Sequence, residues 1–221
     1  MIIVGICGGS GSGSGKSTFA ERIRDGLSCS CEIMRLDCYY FDQGGKPFEE
    51  RTKVNYDSPE IFDFDEMLED IRLLLDGKPV TRKGYNYAEH RRDDSEELMY
   101  PPEVLIIEGI HVFYDDRICD IMNLKLFIKV DSDICLLRRI ARDMNERGRS
   151  LESISEQYKA TVKPMREKYI DKYIDKADVV VMRGGMNEQA LKTTISYLKS
   201  CVKEQRPAES EKNESDGNDS E

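Results

Sequence analysis

The sequence lacks any apolar run long enough to cross a bilayer. Its longest apolar stretches, such as Val104–Ile107, fall far short of the ~20 residues that a membrane span needs. The first residues, Met1–Cys7, have neither a basic region nor a long apolar core, so no signal peptide is predicted. A length of 221 residues, 39% of them hydrophobic and 34% charged, predicts one soluble globular domain in the cytoplasm, with room for a small lobe.

The seven cysteines contain no Cys-x-x-Cys pair, and their number is odd. The closest two, Cys29 and Cys31, are separated by a single residue. A disulfide framework and a structural zinc site are therefore not expected, because both need paired or clustered thiols. The cysteines instead indicate the reduced thiols of a cytoplasmic protein.

Basic residues are fewer than acidic ones, 33 against 43. The resulting formal net charge of −10 argues against general binding to nucleic-acid backbones. Half of that charge lies in Pro207–Glu221, which has six acidic residues, one lysine and no aliphatic side chain larger than alanine. Such a segment cannot bury itself. We therefore predict a folded domain over residues 1–203 and a disordered acidic tail over 204–221, with a solubilising role preferred to a partner-binding one.

Apolar segments of strand length alternate with segments of helical periodicity. Strands are predicted at Ile2–Cys7, Glu32–Asp37, Val104–Ile107, Leu124–Val130 and Asp178–Met182. Helices are predicted from near Lys16, at Phe64–Leu75, after Asp131–Asp133, at Leu151–Asp171 and at Asn187–Lys203. This alternation predicts an α/β fold with a parallel sheet and helices on both faces. Residues 78–103 are polar and irregular, and we expect them to form a small lobe or hairpin at the sheet edge.

A loop rich in glycine and serine joins the first predicted strand to the first helix. Its end, Gly15-Lys16-Ser17, matches the phosphate-loop pattern G-x-x-x-x-G-K-[ST], so the sheet is predicted to be of the P-loop NTPase type. Small residues let backbone N–H groups face an anion, Lys16 can reach the β- and γ-phosphates, and the Ser17 hydroxyl can ligate Mg²⁺. The predicted nucleotide-binding residues are Gly11, Ser12, Gly13, Ser14, Gly15, Lys16, Ser17 and Thr18.

The loop departs from the pattern at its start, because Ser10 stands where the first glycine is expected. It reads as though a Gly-Ser pair had been inserted, with Gly8 or Gly9 making the opening turn. A flexible linker is the alternative. It is disfavoured because linkers rarely end in Gly-Lys-Ser at the start of an amphipathic helix.

Carboxylates stand at the ends of two other predicted strands. Ligands of open α/β sheets bind at the carboxyl ends of the strands. Glu108 is therefore predicted to lie near Mg²⁺, and Asp37 is the leading candidate for the base that deprotonates an acceptor hydroxyl. On position alone, a turn-capping role for Asp37 is about equally consistent.

Five arginines lie in one short segment, Arg138–Arg149, and Gly148 interrupts its helical pattern. We expect Arg147 and Arg149 to lie on a mobile lid, where cations can offset the charge of a transferring phosphoryl group. A solvated, salt-bridged helix face is an open alternative, because Asp143 and Glu146 are interleaved with the arginines.

Signatures of two large nucleotide-using classes are absent. The sequence has no guanine-selective Asn-Lys-x-Asp and neither His-Arg-Asp nor Asp-Phe-Gly, which argues against a GTPase switch and a protein kinase. An ATPase-like motor, a small-molecule kinase and a nucleotide-dependent binding module remain. The short chain favours the small-molecule kinase.

Together these motifs resemble the uridine kinases (uridine–cytidine kinases) of the phosphoribulokinase/uridine kinase family, from about Ile2 to about Lys203. The resemblance is carried by Gly15-Lys16-Ser17, Asp37-Cys38-Tyr39-Tyr40, Asn55-Tyr56-Asp57-Ser58-Pro59, Tyr85-Asn86-Tyr87-Ala88-Glu89-His90, Glu108-Gly109-Ile110, Arg138–Arg149, Gln157-Tyr158 and Arg183-Gly184-Gly185. Many enzymes share the phosphate loop. Its combination with Asn-Tyr-Asp-x-Pro and Tyr-x-Tyr-x-x-His is much more specific.

The resemblance implies a role for each matching residue. The implied catalytic groups are Asp37 as general base, and Lys16, Arg142 and Arg147 on the triphosphate. The implied Mg²⁺ residues are Ser17, Glu108 and Asp37. The implied substrate-binding residues are Asp57 and Arg139 on the ribose, Tyr85 and His90 on the pyrimidine edge, Tyr87 against the ring, and Arg149 and Gln157 around them. His111 receives no role.

By resemblance, the chain is expected to phosphorylate uridine or cytidine at the 5′-hydroxyl with Mg²⁺ and ATP or GTP, in pyrimidine salvage. A homotetramer inhibited by UTP and CTP is likewise implied, with a small nucleoside as partner and neither nucleic acid nor membrane. Two alternatives stay open. One is a kinase of another small hydroxyl substrate on the same fold, and the other is a non-catalytic nucleotide-binding regulator.

Overall fold

The computed structural model describes residues 1–9 and 13–206. Five strands form a central sheet: β1 (Ile2–Cys7), β2 (Cys31–Arg35), β5 (Val104–Glu108), β6 (Leu124–Lys129) and β7 (Val179–Met182). Every neighbouring pair is parallel, and the strand order is β2-β5-β1-β6-β7. The predicted parallel sheet is confirmed.

The central strands are continuous apolar runs because helices cover both faces of the sheet. β1 and β5 are buried along their whole length. Successive side chains point to opposite faces, so Ile3 packs into one core cluster while Ile2 and Val4 pack into the other. The carboxyl ends of these strands form one edge of a rigid scaffold, which is the edge where an open α/β sheet binds its ligands.

Eight helices occur in the described residues: α1 (Lys16–Gly26), α2 (Phe48–Arg51), α3 (Phe64–Leu75), α4 (Asp116–Asp120), α5 (Ser132–Arg147), α6 (Leu151–Gln157), α7 (Lys163–Lys168) and α8 (Glu188–Gln205). Short 3₁₀ turns cover Leu36–Tyr39, Pro59–Ile61, Ile170–Lys176 and Gly184–Met186, and a π-helical turn, Tyr158–Val162, joins α6 to α7. α3 has its predicted bounds because Asp63 caps it by accepting a hydrogen bond from the backbone N–H of Glu66 (2.9 Å).

Some boundary predictions are wrong in detail. The second strand ends at Arg35 rather than Asp37, and Asp37 lies in the 3₁₀ turn that follows. The helix predicted over Leu151–Asp171 is divided by the π turn and ends at Lys168. At the other end of the chain, α8 continues to Gln205, two residues beyond the predicted domain end.

The segment 78–103 is not irregular, although the expectation of a hairpin at the sheet edge is confirmed. β3 (Val80–Asn86) pairs antiparallel with β4 (Arg91–Met99), with an irregularity between Lys83 and Tyr85. The side chain of Arg82 donates a hydrogen bond to the carbonyl of Ile33 (2.7 Å) and so fastens the hairpin to β2, the edge strand. The hairpin carries Tyr85, Tyr87 and His90 on this edge of the fold.

Some predictions fall on residues that the structure does not describe. These are the departure at Ser10, the nucleotide-binding residues Gly11 and Ser12, and the tail from residue 207 to 221. Within the described ranges, no helix combines the length and the apolar character that crossing a bilayer requires.

Candidate active site

The phosphate loop leads directly from β1 into α1. Gly13 and Gly15 have positive φ angles of 101° and 84°, which L side chains rarely adopt. Gly15 has no side chain with which to cap α1, so the N–H groups of the first helical turn stay available to an anion. Lys16 is buried, and its Nζ lies 3.5 Å from Oγ of Ser14. Thr18 lies exposed on the first turn of α1.

A second glycine turn, at Gly184 and Gly185, packs against the phosphate loop. The backbone N–H of Gly185 donates to the carbonyl of Ser14 (3.4 Å). A Cβ added at Gly185 would lie 2.1 Å from the carbonyl oxygen of Gly15, and one at Gly184 would lie 2.8 Å from that of Ser14. The motif Arg183-Gly184-Gly185 therefore has a steric reason, because only glycine lets the two backbones approach this closely.

Two of the predicted Mg²⁺ residues, Ser17 and Glu108, meet beside the loop. The Ser17 hydroxyl donates to Oε1 of Glu108 (2.9 Å), and Nε of Arg35 lies 3.6 Å from the same oxygen. Burial raises the pKa of Glu108, the positive charge of Lys16 lowers it, and the negative charge of Asp37 raises it again. These charges show that Glu108 lies within electrostatic reach of both Lys16 and Asp37.

A hydroxyl and carboxylates are hard oxygen ligands, so this donor set fits Mg²⁺. Within the described ranges, no three His, Cys, Asp or Glu side chains are clustered closely enough to hold a metal by themselves. Mg²⁺ is commonly held by one or two carboxylates together with phosphate oxygens of a substrate. Ser17, Glu108 and Asp37 therefore suit a metal that arrives with a nucleotide.

Asp37 lies where the hairpin and the arginine lid meet. The hydroxyl of Tyr87 donates to Oδ2 of Asp37 (2.5 Å), although 50 residues separate them in sequence. The guanidinium of Arg147 stacks over the ring of Tyr87, 4.6 Å from its centroid. Tyr87 therefore connects the candidate base to the lid, a contact that the resemblance did not imply.

The aromatic residues of the hairpin pack against aromatic residues of the segment before α3. The rings of Tyr85 and Tyr40 lie 4.7 Å apart, and the ring of His90 stacks on Tyr56 at 5.1 Å. Burial lowers the pKa of His90, and the charges of Arg149 and Arg147 lower it further. The neutral imidazole can both donate and accept a hydrogen bond, as recognition of a pyrimidine edge requires.

Asp57 is buried and held from three sides. Oδ2 of Asp57 accepts a hydrogen bond from the hydroxyl of Thr161 (2.9 Å). Burial raises its pKa, and the charge of Arg139 counteracts this rise. Its backbone carbonyl pairs with Nε2 of His111 at 2.8 Å. A carbonyl only accepts, so Nε2 carries the proton, and the Tyr173 hydroxyl donates to Nδ1 (2.9 Å).

Sequence reasoning assigned no role to His111 or Thr161. His111 is fully buried, and burial lowers its pKa to about 4, so it stays neutral and fixes the backbone at Asp57. Its position just after β5 is the one signal that could have indicated a place near the site. Thr161 lies in the π turn, and no sequence motif marks that turn.

Of the five arginines in this segment, Arg139 is buried, Arg142 and Arg149 are half-buried, and Arg138 and Arg147 are exposed, so one side of the segment faces the site and the other faces solvent. Arg139 Nη2 and Arg149 Nη1 both donate to Oε1 of Gln157, at 2.9 and 2.6 Å. Arg138, which received no role, donates to the carbonyl of Gly13 in the phosphate loop (2.9 Å). Arg142 donates to Asp143, which is completely buried. The segment Arg138–Arg149, called the lid below, thus contacts both the phosphate loop and the residues around Asp57.

The model of the Phosphoribulokinase / Uridine kinase family matches residues 3–190. The uridine kinase of Ligilactobacillus salivarius is 41% identical over 203 residues, which cover 91% of this chain and 94% of that protein. The uridine kinase of Streptococcus uberis is 43% identical over 204 residues, which cover 92% and 96%. These similarities extend over the phosphate loop, the hairpin and the lid together.

One solved structure supports the fold. The phosphoribulokinase of Rhodobacter spheroides superposes with a TM-score of 0.59 at 13% identity, covering 82% of this chain and 69% of that one. At such low identity the likeness concerns the fold alone.

Proposed function

Because the chain belongs to the phosphoribulokinase/uridine kinase family, we propose that it transfers a phosphoryl group from a nucleoside triphosphate to the 5′-hydroxyl of uridine. Cytidine is the second acceptor, and ATP or GTP is the donor. The products are UMP and CMP, as in pyrimidine salvage in the cytoplasm. The further parts of the proposal, a homotetramer and feedback inhibition by UTP and CTP, come from the family resemblance.

The observation that carries the proposal is the position of Asp37 between the two halves of the site. Burial is the main cause of the raised pKa values of Glu108, on the phosphate-loop side, and of Asp57, on the other side, and the negative charge of Asp37 raises both further. A base for an acceptor hydroxyl must lie between the donor phosphates and the acceptor. Among the carboxylates described above, Asp37 is the one that acts on both.

In this mechanism each half of the site has a separate task. Lys16, Arg142 and Arg147 offset the charge that develops on the transferring phosphoryl group. Mg²⁺, held by Ser17, Glu108 and Asp37, would neutralise phosphate oxygens when bound. Asp37 accepts the proton of the acceptor 5′-hydroxyl through the oxygen that Tyr87 leaves free.

The acceptor half distinguishes ribose from deoxyribose. A carboxylate can accept two hydrogen bonds, so Asp57 suits the vicinal hydroxyls of a ribose, with Arg139 beside it. A deoxyribonucleoside would leave part of this buried polar pair without a partner, which disfavours its binding. Tyr85, Tyr87 and His90 form the wall for the base, and Arg149 with Gln157 complete the pocket.

The test is product formation by the purified protein with Mg²⁺, ATP or GTP, and a panel of uridine, cytidine, deoxyuridine and adenosine. We expect monophosphate from uridine and cytidine, little from deoxyuridine and least from adenosine. Turnover of an unrelated hydroxyl compound with none of uridine would show a different acceptor. Triphosphate binding without any product would identify a non-catalytic regulator instead.

The variant Asp57→Asn tests the acceptor assignment within the same panel. It keeps the size of the side chain and removes its charge, so we expect a higher KM for uridine and a smaller preference for uridine over deoxyuridine. Asp76→Asn, on the exposed turn after α3, is the matched control. An unchanged preference in Asp57→Asn would remove Asp57 from ribose recognition.

A further inference from the structure

Asp143 is a completely buried carboxylate with four arginines around it. The distances to its oxygens are 2.9 Å from Nε of Arg142, 3.6 Å from Nη1 of Arg147, 3.6 Å from Nε of Arg139 and 3.5 Å from Nη1 of Arg149. A buried charge is costly unless it is paired. One carboxylate here offsets one of four positive charges, so the cluster keeps a formal charge of +3.

The two oxygens of this carboxylate divide the arginines into two pairs. Oδ1 faces Arg142 and Arg147, the two assigned to the triphosphate. Oδ2 faces Arg139 and Arg149, the two assigned to the nucleoside. Each of the two arginine pairs, one assigned to the triphosphate and one to the nucleoside, therefore lies next to a different carboxylate oxygen of Asp143.

The main chain of Asp143 fixes the lid turn as well. Its carbonyl accepts hydrogen bonds from the N–H groups of Gly148 and Arg149, the second at 3.1 Å. Gly148 has φ 61°, so the chain reverses there and returns Arg149 toward Asp143. Asp143 thus contacts Arg147 and Arg149, the arginines on either side of Gly148, through its side chain and its backbone.

The two sides of the carboxylate are not equally tight. Oδ1 accepts two hydrogen bonds from Arg142. Oδ2 has no hydrogen-bond partner in the described parts of the chain, since its two arginines stay at ion-pair distance. A ligand that moves Arg139 or Arg149 therefore changes the attraction on Oδ2, and the same rigid group transmits the change to Oδ1.

We propose that Asp143 is a positioning residue that couples the nucleoside and triphosphate sites by holding one arginine pair on each oxygen. The inference rests on the proposed function, which supplies the two ligands. Each ligand would then strengthen the binding of the other by the same factor, as thermodynamic linkage requires. Asp143 would touch neither ligand.

The test compares Asp143→Asn with the wild-type protein. Calorimetry measures the affinity for a non-hydrolysable triphosphate analogue with Mg²⁺, with and without saturating uridine. We expect a coupling factor within the common range of about 5–150-fold in the wild type and a factor close to one in the variant. Because each ligand then no longer strengthens the binding of the other, the KM of each substrate at a saturating concentration of the other should rise by about the coupling factor that is lost, and kcat should change less. A coupling factor equal to that of the wild type would overturn the inference.

Glu146→Gln is the matched control, because Glu146 is an exposed carboxylate on the same helix and forms no ion pair within the described residues. It should retain the coupling factor of the wild type. Loss of coupling in this control would mean that any charge change on α5 suffices, and the assignment to Asp143 would fail.

A second variant covers the case in which Asp143→Asn does not fold. Arg149→Met removes one partner of Oδ2, an arginine that the proposed division assigns to the nucleoside and not to the triphosphate. If Asp143 transmits the change, affinity for the triphosphate analogue alone should shift several-fold. An unchanged affinity would refute transmission. This measurement needs neither turnover nor nucleoside. If the wild type forms no product with uridine, only the proposed function is refuted, and the binding measurement still decides the inference.

Discussion

The two halves of the site are built in different ways. The phosphate side is made mainly of backbone from consecutive residues, Gly13–Ser17, with the turn at Gly184 and Gly185 packed against it. The acceptor side is made of side chains from distant segments: Asp37, Asp57, Tyr87, Arg139 and Gln157. In the proposed function, the first half binds a group common to all nucleotides, and the second selects one acceptor.

This difference predicts how each half fails. A site made of backbone N–H groups is damaged by added volume, because its donors cannot be removed by substitution. A site made of polar side chains is damaged by removal of single groups, because each buried partner is then left unpaired. The substitutions below test this contrast, beginning with the residue that lies between the halves.

The largest effect is expected from Asp37→Asn, which keeps the shape of the side chain and removes its basicity. A general base contributes roughly 10²–10⁴-fold to rate, so kcat should fall within that range. Binding of a triphosphate analogue with Mg²⁺ should change far less. Initial rates at saturating uridine and calorimetry with the analogue provide the two measurements. Turnover at the wild-type rate would exclude Asp37 as the base.

The next effect is expected from Gly185→Ala on the phosphate side. The new Cβ would stand 2.1 Å from the carbonyl oxygen of Gly15, so one backbone must move. Overpacking of this kind costs about 1–3 kcal/mol, which corresponds to roughly 5–150-fold in triphosphate affinity. Uridine affinity should stay the same.

Gly45→Ala is the control for that substitution, since a Cβ at Gly45 would meet nothing within 4 Å. It should bind the triphosphate like the wild type. If Gly185→Ala also bound the triphosphate like the wild type, the second glycine turn would not be part of the donor site. The expected sensitivity of the phosphate side to added volume would then be refuted.

A smaller effect is expected from Tyr87→Phe, which keeps the ring under Arg147 and removes the hydroxyl on Asp37. A buried hydrogen bond to a charged group contributes about 1.5–3 kcal/mol. Because Tyr87 is partly exposed, we expect a value at the lower end of this range, which corresponds to a roughly tenfold fall in kcat. KM for uridine should stay nearly constant. Tyr100→Phe, at an exposed tyrosine outside the site, is the control.

The opposite kinetic pattern would be equally informative. A higher KM for uridine at unchanged kcat would mean that the Tyr87 hydroxyl contributes to binding of the nucleoside and not to the rate of phosphoryl transfer. The hydroxyl contact to Asp37 would then be irrelevant to turnover.

The same contrast explains how much the sequence could predict. The phosphate side was found because its motif is local: Gly15-Lys16-Ser17 follows a buried strand and begins a helix. The parallel sheet was predicted because strands covered on both faces are continuous apolar runs, as β1 and β5 are. Both signals lie within a short window of sequence.

Apart from the two short motifs that carry the family resemblance, Asn-Tyr-Asp-x-Pro and Tyr-x-Tyr-x-x-His, the acceptor side offered no such window. β4 reads RRDDSEELM, a polar run without alternation, and it is a strand because it pairs with β3. The contact between Tyr87 and Asp37 spans 50 residues, and that between His111 and Asp57 spans 54. Asp143 is surrounded by charges at helical spacing, the pattern of a surface helix, yet it is fully buried. Tertiary packing decides these cases.

The smallest effect concerns His111, the support beneath Asp57. Its pKa is lowered from 6.5 to about 4 by burial, so the unfolded chain binds a proton between these values and the folded chain does not. Stability should therefore fall as the pH drops from about 6.5 toward 4. Between pH 7 and pH 5, His111 should account for about 1–2 kcal/mol of the loss. Urea unfolding at both pH values measures it.

His111→Gln separates this contribution from that of the carboxylates, because it removes the titrating group and leaves them in place. The variant should be less stable at pH 7, where the bonds to Asp57 and Tyr173 matter, and should lose less stability on acidification than the wild type. His90→Gln, at the half-buried histidine of the hairpin whose pKa burial lowers in the same direction, should reduce the slope less than His111→Gln does. Equal slopes in wild type and His111→Gln would show that the support beneath Asp57 does not depend on a neutral imidazole.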